Sequence, residues 1–348
     1  MRGREHGSLM AVRREPGGAV AAWLVLVAVM VGLMVIIGGM TRLTGSGLSM
    51  VEWRPLLGIL PPLSQEEWAR VFSLYQGSPE YRQVNTWMGL DEFRRIFWWE
   101  YLHRLWGRLI GLVYAVPFLW FLVRGSLPGR LRARFWLLLA LGALQGLIGW
   151  WMVRSGLVDD PHVSPLRLAI HLSLAFVILG IVVWTVLDLR WPVSANPSRR
   201  LVRHADLCLG LVGLTVLAGA LVAGLDAGRV YNTFPLMGGS LVPPDYGHLG
   251  SVWRTLVEDP GSAQFHHRLL ALVAVTAGVV LPVRASRPGI SGQVRAAAAV
   301  LAGLILVQSA LGIATLLSVA HIDLAILHQA GAVALFVAAV VVAHRVRA

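Results

Sequence analysis

Eight stretches of this 348-residue chain are apolar over about the 17–25 residues that a bilayer-crossing helix needs. They run approximately over Gly18–Met40, Leu102–Val123, Phe135–Val153, Leu166–Leu187, Leu207–Gly224, His267–Val283, Val294–Leu317 and Ile322–Ala343. The pattern predicts an all-α polytopic membrane protein with eight transmembrane helices. A mean hydropathy of +0.67, with 56% apolar and only 14% charged residues, agrees. The formal charge of +12 is carried by arginine alone, since the chain has no lysine. Nucleic acid explains that charge poorly, because the arginines sit in short clusters between spans. The clusters are Arg2, Arg4, Arg13 and Arg14, then Arg124, Arg130, Arg132 and Arg134, then Arg190, Arg199, Arg200 and Arg203. Arg284, Arg287 and Arg295 follow, and Arg345 and Arg347 close the series. The opposite loops mix arginine with as many or more acids. This positive-inside pattern predicts that both termini are cytoplasmic. No small-x-small cleavage site ends the first span, which reads as a retained helix. The single cysteine, Cys208, lies in an apolar run, so an intramolecular disulfide is excluded and a cysteine-based metal site is disfavoured.

The chain repeats itself in register. Glu100-Tyr101-Leu102-His103-Arg104-Leu105 matches Gln264-Phe265-His266-His267-Arg268-Leu269. Trp53-Arg54-Pro55-Leu56-Leu57-Gly58 matches Thr233-Phe234-Pro235-Leu236-Met237-Gly238, and Gln145-Gly146-Leu147-Ile148-Gly149 matches Gln308-Ser309-Ala310-Leu311-Gly312. His103 and Gln145 are 42 residues apart, and His267 and Gln308 are 41 apart. The expectation is two pseudo-symmetric four-helix bundles, residues 18–187 and 207–343, facing the same way across the membrane. In the long first outer loop, Ser64-Gln65-Glu66-Glu67 is a capping box, and Trp68, Val71, Phe72 and Tyr75 follow at helical spacing. Pro61-Pro62 and Gly77-Ser78-Pro79 bound this segment, which predicts a short helix on the outer surface.

Within the aromatic-rich entry to the second span, Phe93, Ile96, Glu100, His103, Gly107 and Gly111 share one helical face. The aromatics place His103 just inside one membrane surface. Four histidines, His103, His171, His267 and His328, fall near the outer ends of even-numbered spans, at about one depth. Each has Gly or Ala at i+4 (Gly107, Ala175, Ala271, Ala332), a shallow face against which a flat ring can lie. A lone intramembrane histidine is as readily a hydrogen-bonded structural residue as a ligand. Four in a repeated frame, two per half on separate helices, fit a haem clamped from both sides. Zinc would need three or four converging N, S or O ligands. His266 is about 100° around the helix from His267, and the repeat selects His267. His6, His162, His204, His248, His321 and His344 read as surface or interfacial residues.

The halves differ at one position: Glu100 corresponds to Gln264. A carboxylate one turn from a haem ligand can accept a proton or hold a water, and a glutamine cannot change charge. Glu100 pairing with Arg104 is the alternative role. Arg42, Arg104 and Arg268 lie on the outer side, where they could bind haem propionates or snorkel.

The stretch Gly38-Gly39-Met40-Thr41-Arg42-Leu43-Thr44-Gly45-Ser46-Gly47-Leu48-Ser49-Met50, with Glu52-Trp53 and Pro55, resembles the haem A synthases of the branch shared by proteobacteria and mitochondria. Glu92-Phe93 through Gly107-Arg108, Gly224-Leu225-Asp226-Ala227-Gly228 and Tyr231-Asn232-Thr233-Phe234-Pro235-Leu236-Met237 extend the resemblance over nearly the whole chain. It implies an oxidoreductase that converts the C8 methyl of haem O to a formyl group by successive hydroxylations, giving haem A for cytochrome c oxidase. His267 and His328 would then hold a haem b cofactor. His103 and His171 would flank the iron of haem O, with Glu100 as catalytic carboxylate. Haem O synthase and an electron-transfer protein are the implied partners, besides membrane lipid. Gly238 departs from the family, whose members usually continue with an acid there. Another branch carries paired cysteines in its outer loops, and this chain has none. The competing readings are a non-enzymatic dihaem b-type electron carrier using the same histidines and, more remotely, a transporter. Glu100 and the long outer loops count against the carrier. Parallel repeats and unbroken spans count against the transporter.

Overall fold

The computed structural model describes residues 16–53, 57–158, 160–191 and 198–348. The first arginine cluster, His6, and Arg54, Pro55 and Leu56 lie outside these. The described residues form eleven α-helices: α1 (Pro16–Leu43), α2 (Gln65–Gln76), α3 (Pro79–Gln83), α4 (Leu90–Val123), α5 (Arg132–Arg154), α6 (Pro165–Arg190), α7 (Arg199–Gly224), α8 (Val252–Val257), α9 (Pro260–Ala285), α10 (Gly292–Leu317) and α11 (Ile322–Arg345). Eight of these, all but α2, α3 and α8, are long and apolar enough to cross a membrane, and the chain is an all-α multi-pass membrane protein.

The helices outrun their apolar cores because capping chemistry, not hydropathy, sets their ends. α4 starts at Leu90 rather than at Leu102, where Glu92 Oε2 accepts the Gly89 N–H at 3.1 Å. At about 1.5 Å per residue its 34 residues span about 50 Å, against about 30 Å of hydrocarbon. α9 starts at Pro260, with the buried Asp259 carboxylate accepting the Gly261 and Ser262 N–H groups at 3.2 Å each. The extramembrane turns of α4 carry their own core, in which Phe93, Ile96, Phe97 and Tyr101 pack with Trp68 and Tyr75. α2 forms over the expected residues, with Ser64 Oγ accepting from Glu67 N at 3.2 Å.

α1 packs on α4, α6 and α11, and α5 packs on α4 and α6. α7 packs on α6, α9 and α11, and α10 packs on α9 and α11. The contacts α1–α4–α5–α6 close one ring, and α7–α9–α10–α11 close another.

Two histidines expected at the surface are buried instead. His204 is 5% exposed and its Nε2 donates to Ala277 O at 3.0 Å. His344 is fully buried, with Nε2 3.0 Å from Asp188 Oδ1, while Arg134 holds Asp188 Oδ2 at 2.5 Å. Both sit where α7 and α11 run past their apolar cores and still pack on neighbours, so a polar span end became an interior. His162, His248 and His321 are exposed, as expected. Cys208 is buried and free.

Candidate functional site

Each of the four intramembrane histidines lies against a glycine of a neighbouring helix. A Cβ on Gly38 of α1 would sit 3.2 Å from His103 Nε2, and one on Gly219 of α7 would sit 3.0 Å from His267 Cε1. On Gly149 of α5 and Gly312 of α10 it would fall 2.9 Å from His171 Cε1 and from His328 Cε1. The absence of a side chain is what lets each ring approach the adjoining backbone this closely. Of the small residues expected one turn along the same helix, Gly107 faces Met34 Cε at 3.4 Å. His171, His267 and His328 lie in the second turns of their helices, but His103 lies in the fourth turn of α4, because α4 begins early.

The second pair is preorganised. The His267 and His328 rings lie perpendicular, with centroids 6.5 Å apart. Imidazole nitrogens about 2 Å from a metal on opposite sides would set centroids about 6 Å apart. His267 Nδ1 donates to Thr215 O at 3.0 Å, which leaves Nε2 as the free lone pair. His266 points elsewhere, its Nε2 meeting Tyr246 OH at 3.0 Å. Gln308 Nε2 donates to His328 O at 2.8 Å, and Gln145 Nε2 donates to His171 O at 3.0 Å. The Oε1 atoms of both glutamines are buried without a partner.

Glu100 is 2% exposed. Ser49 Oγ and Met50 N both donate to its Oε2 at 2.7 Å, and Arg104 donates to its Oε1 at 2.5 Å. Arg104 also donates to Met50 O and Glu52 O at 2.7 and 3.1 Å, tying the loop after α1 onto α4. The second half repeats the junction with a neutral centre. Arg268 donates to Gln264 Oε1 at 3.0 Å and to Tyr231 O at 2.8 Å, and Gln264 Nε2 donates to Ala227 O at 2.8 Å. Arg42 pairs with Asp226 at 3.1 Å. These three arginines are therefore engaged within the protein. Gly238 and Gly239 have φ of 59° and 87°, so the tight turn closed by the Met237–Ser240 bridge favours glycine at both positions.

Sequence reasoning missed Gly38, Gly149, Gly219 and Gly312 as ring neighbours. Three of them sit in stretches singled out for other reasons, but local pattern does not say which helix a glycine meets.

The profile of the COX15-CtaA family of cytochrome oxidase assembly proteins matches residues 21–340. The chain belongs to that family. Among the most similar proteins is one from Caulobacter sp. strain K31, described as a heme A synthase, 47% identical over 339 residues that cover 97% of this chain and 98% of that protein. Proteins with the same description from Bradyrhizobium sp. strain ORS 278 and Nitrosospira multiformis are 48% and 46% identical. They align over 94% of this chain, and over 91% and 93% of their own lengths. Family membership thus extends over the whole described membrane domain, including both histidine pairs.

Proposed function

We propose that the chain is a haem A synthase of the bacterial inner membrane, with both termini cytoplasmic. It oxidises the C8 methyl of haem O to a formyl group through successive hydroxylations, supplying haem A for cytochrome c oxidase. The half over residues 18–187 takes the substrate haem between His103 and His171. The half over residues 207–343 holds haem b between His267 and His328. The two closed helix rings and the matching glycine contacts support this division. The residues suit a doubly ligated ring, because the glycines let the histidines seat closely against neighbouring helices and the second pair has ring centroids 6.5 Å apart. Haem b, when bound, supplies a one-electron relay beside the substrate.

The observation that carries the reading is the single carboxylate. Glu100 and Gln264 occupy corresponding junctions one turn before His103 and His267, so of the two junctions only the first carries a carboxylate able to take up a proton. Each methyl oxidation releases protons, and Glu100 Oε2 stands one turn from the ligand of the substrate haem. Arg104, Ser49 and Met50 fix that carboxylate, so its oxygen does not wander between turnovers. His267, with its Nδ1–H committed to Thr215 O, is held as a neutral ligand. The isoprenoid tail of haem O suits a site between membrane-spanning helices better than a soluble pocket. Haem O synthase as donor and a membrane electron acceptor are the expected partners.

The test uses protein purified with and without a co-expressed haem O synthase, its haems extracted, separated and identified by mass. Haem A or its hydroxylated precursor in wild type, lost in Glu100→Gln with haem b retained, supports the reading. Two equivalents of haem b with no conversion of haem O point to a dihaem electron carrier.

A further inference from the structure

At the level of the histidines α1 carries two contact faces. Met34, Gly38 and Thr41 meet α4: Met34 Cε reaches Gly107, Gly38 abuts His103, and Thr41 Oγ1 donates to Trp99 O at 3.3 Å. Gly32, Val35 and Gly39 meet α11. A Cβ on Gly32 would lie 3.3 Å from Val333 Cγ1, and Gln329 Nε2 donates to Val35 O at 2.6 Å. A Cβ on Gly39 would fall 2.0 Å from Gln329 Oε1, so the carboxamide fills the space a side chain would take. Consecutive residues project about 100° apart around a helix, which is why Gly38 and Gly39 serve different neighbours. His103 therefore touches Gly38, Gly39 houses Gln329, and Gln329 directly follows His328. One strand of α1 backbone separates the histidine of one site from the chain neighbour of the histidine of the other.

By the separate offsets that relate Gly38 to Gly219 and His171 to His328, the counterparts of Gly39 and Gln329 are Ala220 and Leu172. An alanine and a leucine cannot make this hydrogen bond, so the polar tie occurs on one side of the seam only. It is also unnecessary for helix formation, because Val35 O keeps its own i+4 amide within α1.

Building on the functional reading above, we propose that Gln329 is a positioning residue. Its amide, seated on Gly39 and bonded to Val35 O, fixes the rotation and depth of α11 against α1. That sets the separation across which electrons pass between the His267–His328 site and the His103–His171 site.

The experiment compares wild type, Gln329→Leu, Gly39→Ala and the double variant, each purified with haem b and loaded with haem O. Three quantities are read: haem b per polypeptide, the Soret circular-dichroism couplet that arises only from two neighbouring haems, and single-turnover oxidation of haem O. Each single variant is expected to keep its haem b and thermal midpoint, to alter the couplet, and to slow turnover. Because Gly39→Ala would act by expelling the same amide, the double variant should be no worse than either single one. An unchanged couplet and rate in Gln329→Leu, or additive losses in the double variant, would overturn the proposal. A merely stabilising Gln329 would lower the thermal midpoint and leave the couplet alone. If wild type makes no haem A the functional reading falls, yet the couplet, which needs only two haems, still judges the seam. A wild type that holds a single haem overturns both.

Discussion

Replacing Gly312 by alanine is expected to weaken haem b binding while leaving the fold intact. The new Cβ would lie 2.9 Å from His328 Cε1, whereas ordinary contact begins at 3.4 Å. The ring must therefore withdraw by about half an ångström, the kind of overpacking that costs about 1–3 kcal/mol. In the ligand-free protein the imidazole can rotate away, since only a side chain has to move. In the loaded protein its nitrogen is committed to a fixed position, so the cost falls on binding. At about 1.4 kcal/mol per decade this corresponds to about a 5- to 150-fold loss of affinity. The assay is titration of haem b into protein stripped of haem, followed by the low-spin Soret spectrum, with thermal unfolding of the stripped protein alongside. Gly303→Ala is the control, because a Cβ there on the same helix meets nothing within 4 Å. Gly219→Ala, at 3.0 Å from His267 Cε1, should weaken binding in the same way. Gly149→Ala, against His171, should spare haem b and slow haem O oxidation instead. If Gly312→Ala binds haem b as tightly as Gly303→Ala with an unchanged spectrum, the glycine-cradle reasoning is wrong.

Glu100→Gln should fold and keep haem b, because Gln264 already makes the equivalent junction, while conversion of haem O falls at least about 100-fold. Loss of folded protein in that variant would show the charge to be structural. In the outer cap, burial raises Glu80 to about 7, against the opposing hydrogen bond from Tyr75 OH at 3.0 Å. The folded state thus keeps a proton that the unfolded chain releases near 4.5, so the cap should lose stability as pH rises from about 4.5 to 7. Thermal unfolding between pH 5 and 8 checks this, and Glu80→Gln should flatten the dependence. His344→Ala leaves Asp188 with Arg134 but strips one buried partner, at a cost of about 1–3 kcal/mol. The expected result is a lower thermal midpoint in detergent with haem content unchanged.

The eight spans were legible because hydrocarbon demands long apolar runs, and the four histidines because the repeat placed them in matching frames. Helix starts were less legible. The first three turns of α4 are held by a cap at Gly89–Glu92 and by Trp68 and Tyr75 from α2, neither of which raises the hydropathy of α4 itself. His204 and His344 were misjudged for a related reason: a histidine beyond an apolar core looks solvated until the neighbour that covers it is known. The glycine cradles needed the helix neighbours themselves. Gly219 matters because α7 lies beside α9, and Gly39 because α11 lies beside α1, and no local pattern encodes that adjacency.

The two junctions separate what Glu100 does for the fold from what it does for chemistry. Sequence alone left open whether Glu100 serves chemistry or merely pairs with Arg104, and the structure contains the pair at 2.5 Å. In the second half Gln264 receives Arg268 at i+4 in the same way and bonds the facing loop, all without charge. Tying loop to helix therefore does not require a carboxylate. A buried charge costs free energy to desolvate even when paired, so a neutral residue would serve the junction at least as well. On the proposed assignment, the charge is present in the half whose histidines would flank the substrate haem and absent from the half that would hold the cofactor. What Glu100 adds beyond Gln264 is an ionisable carboxylate, which the proposed methyl oxidation at His103 would use and the proposed electron relay at His267 would not.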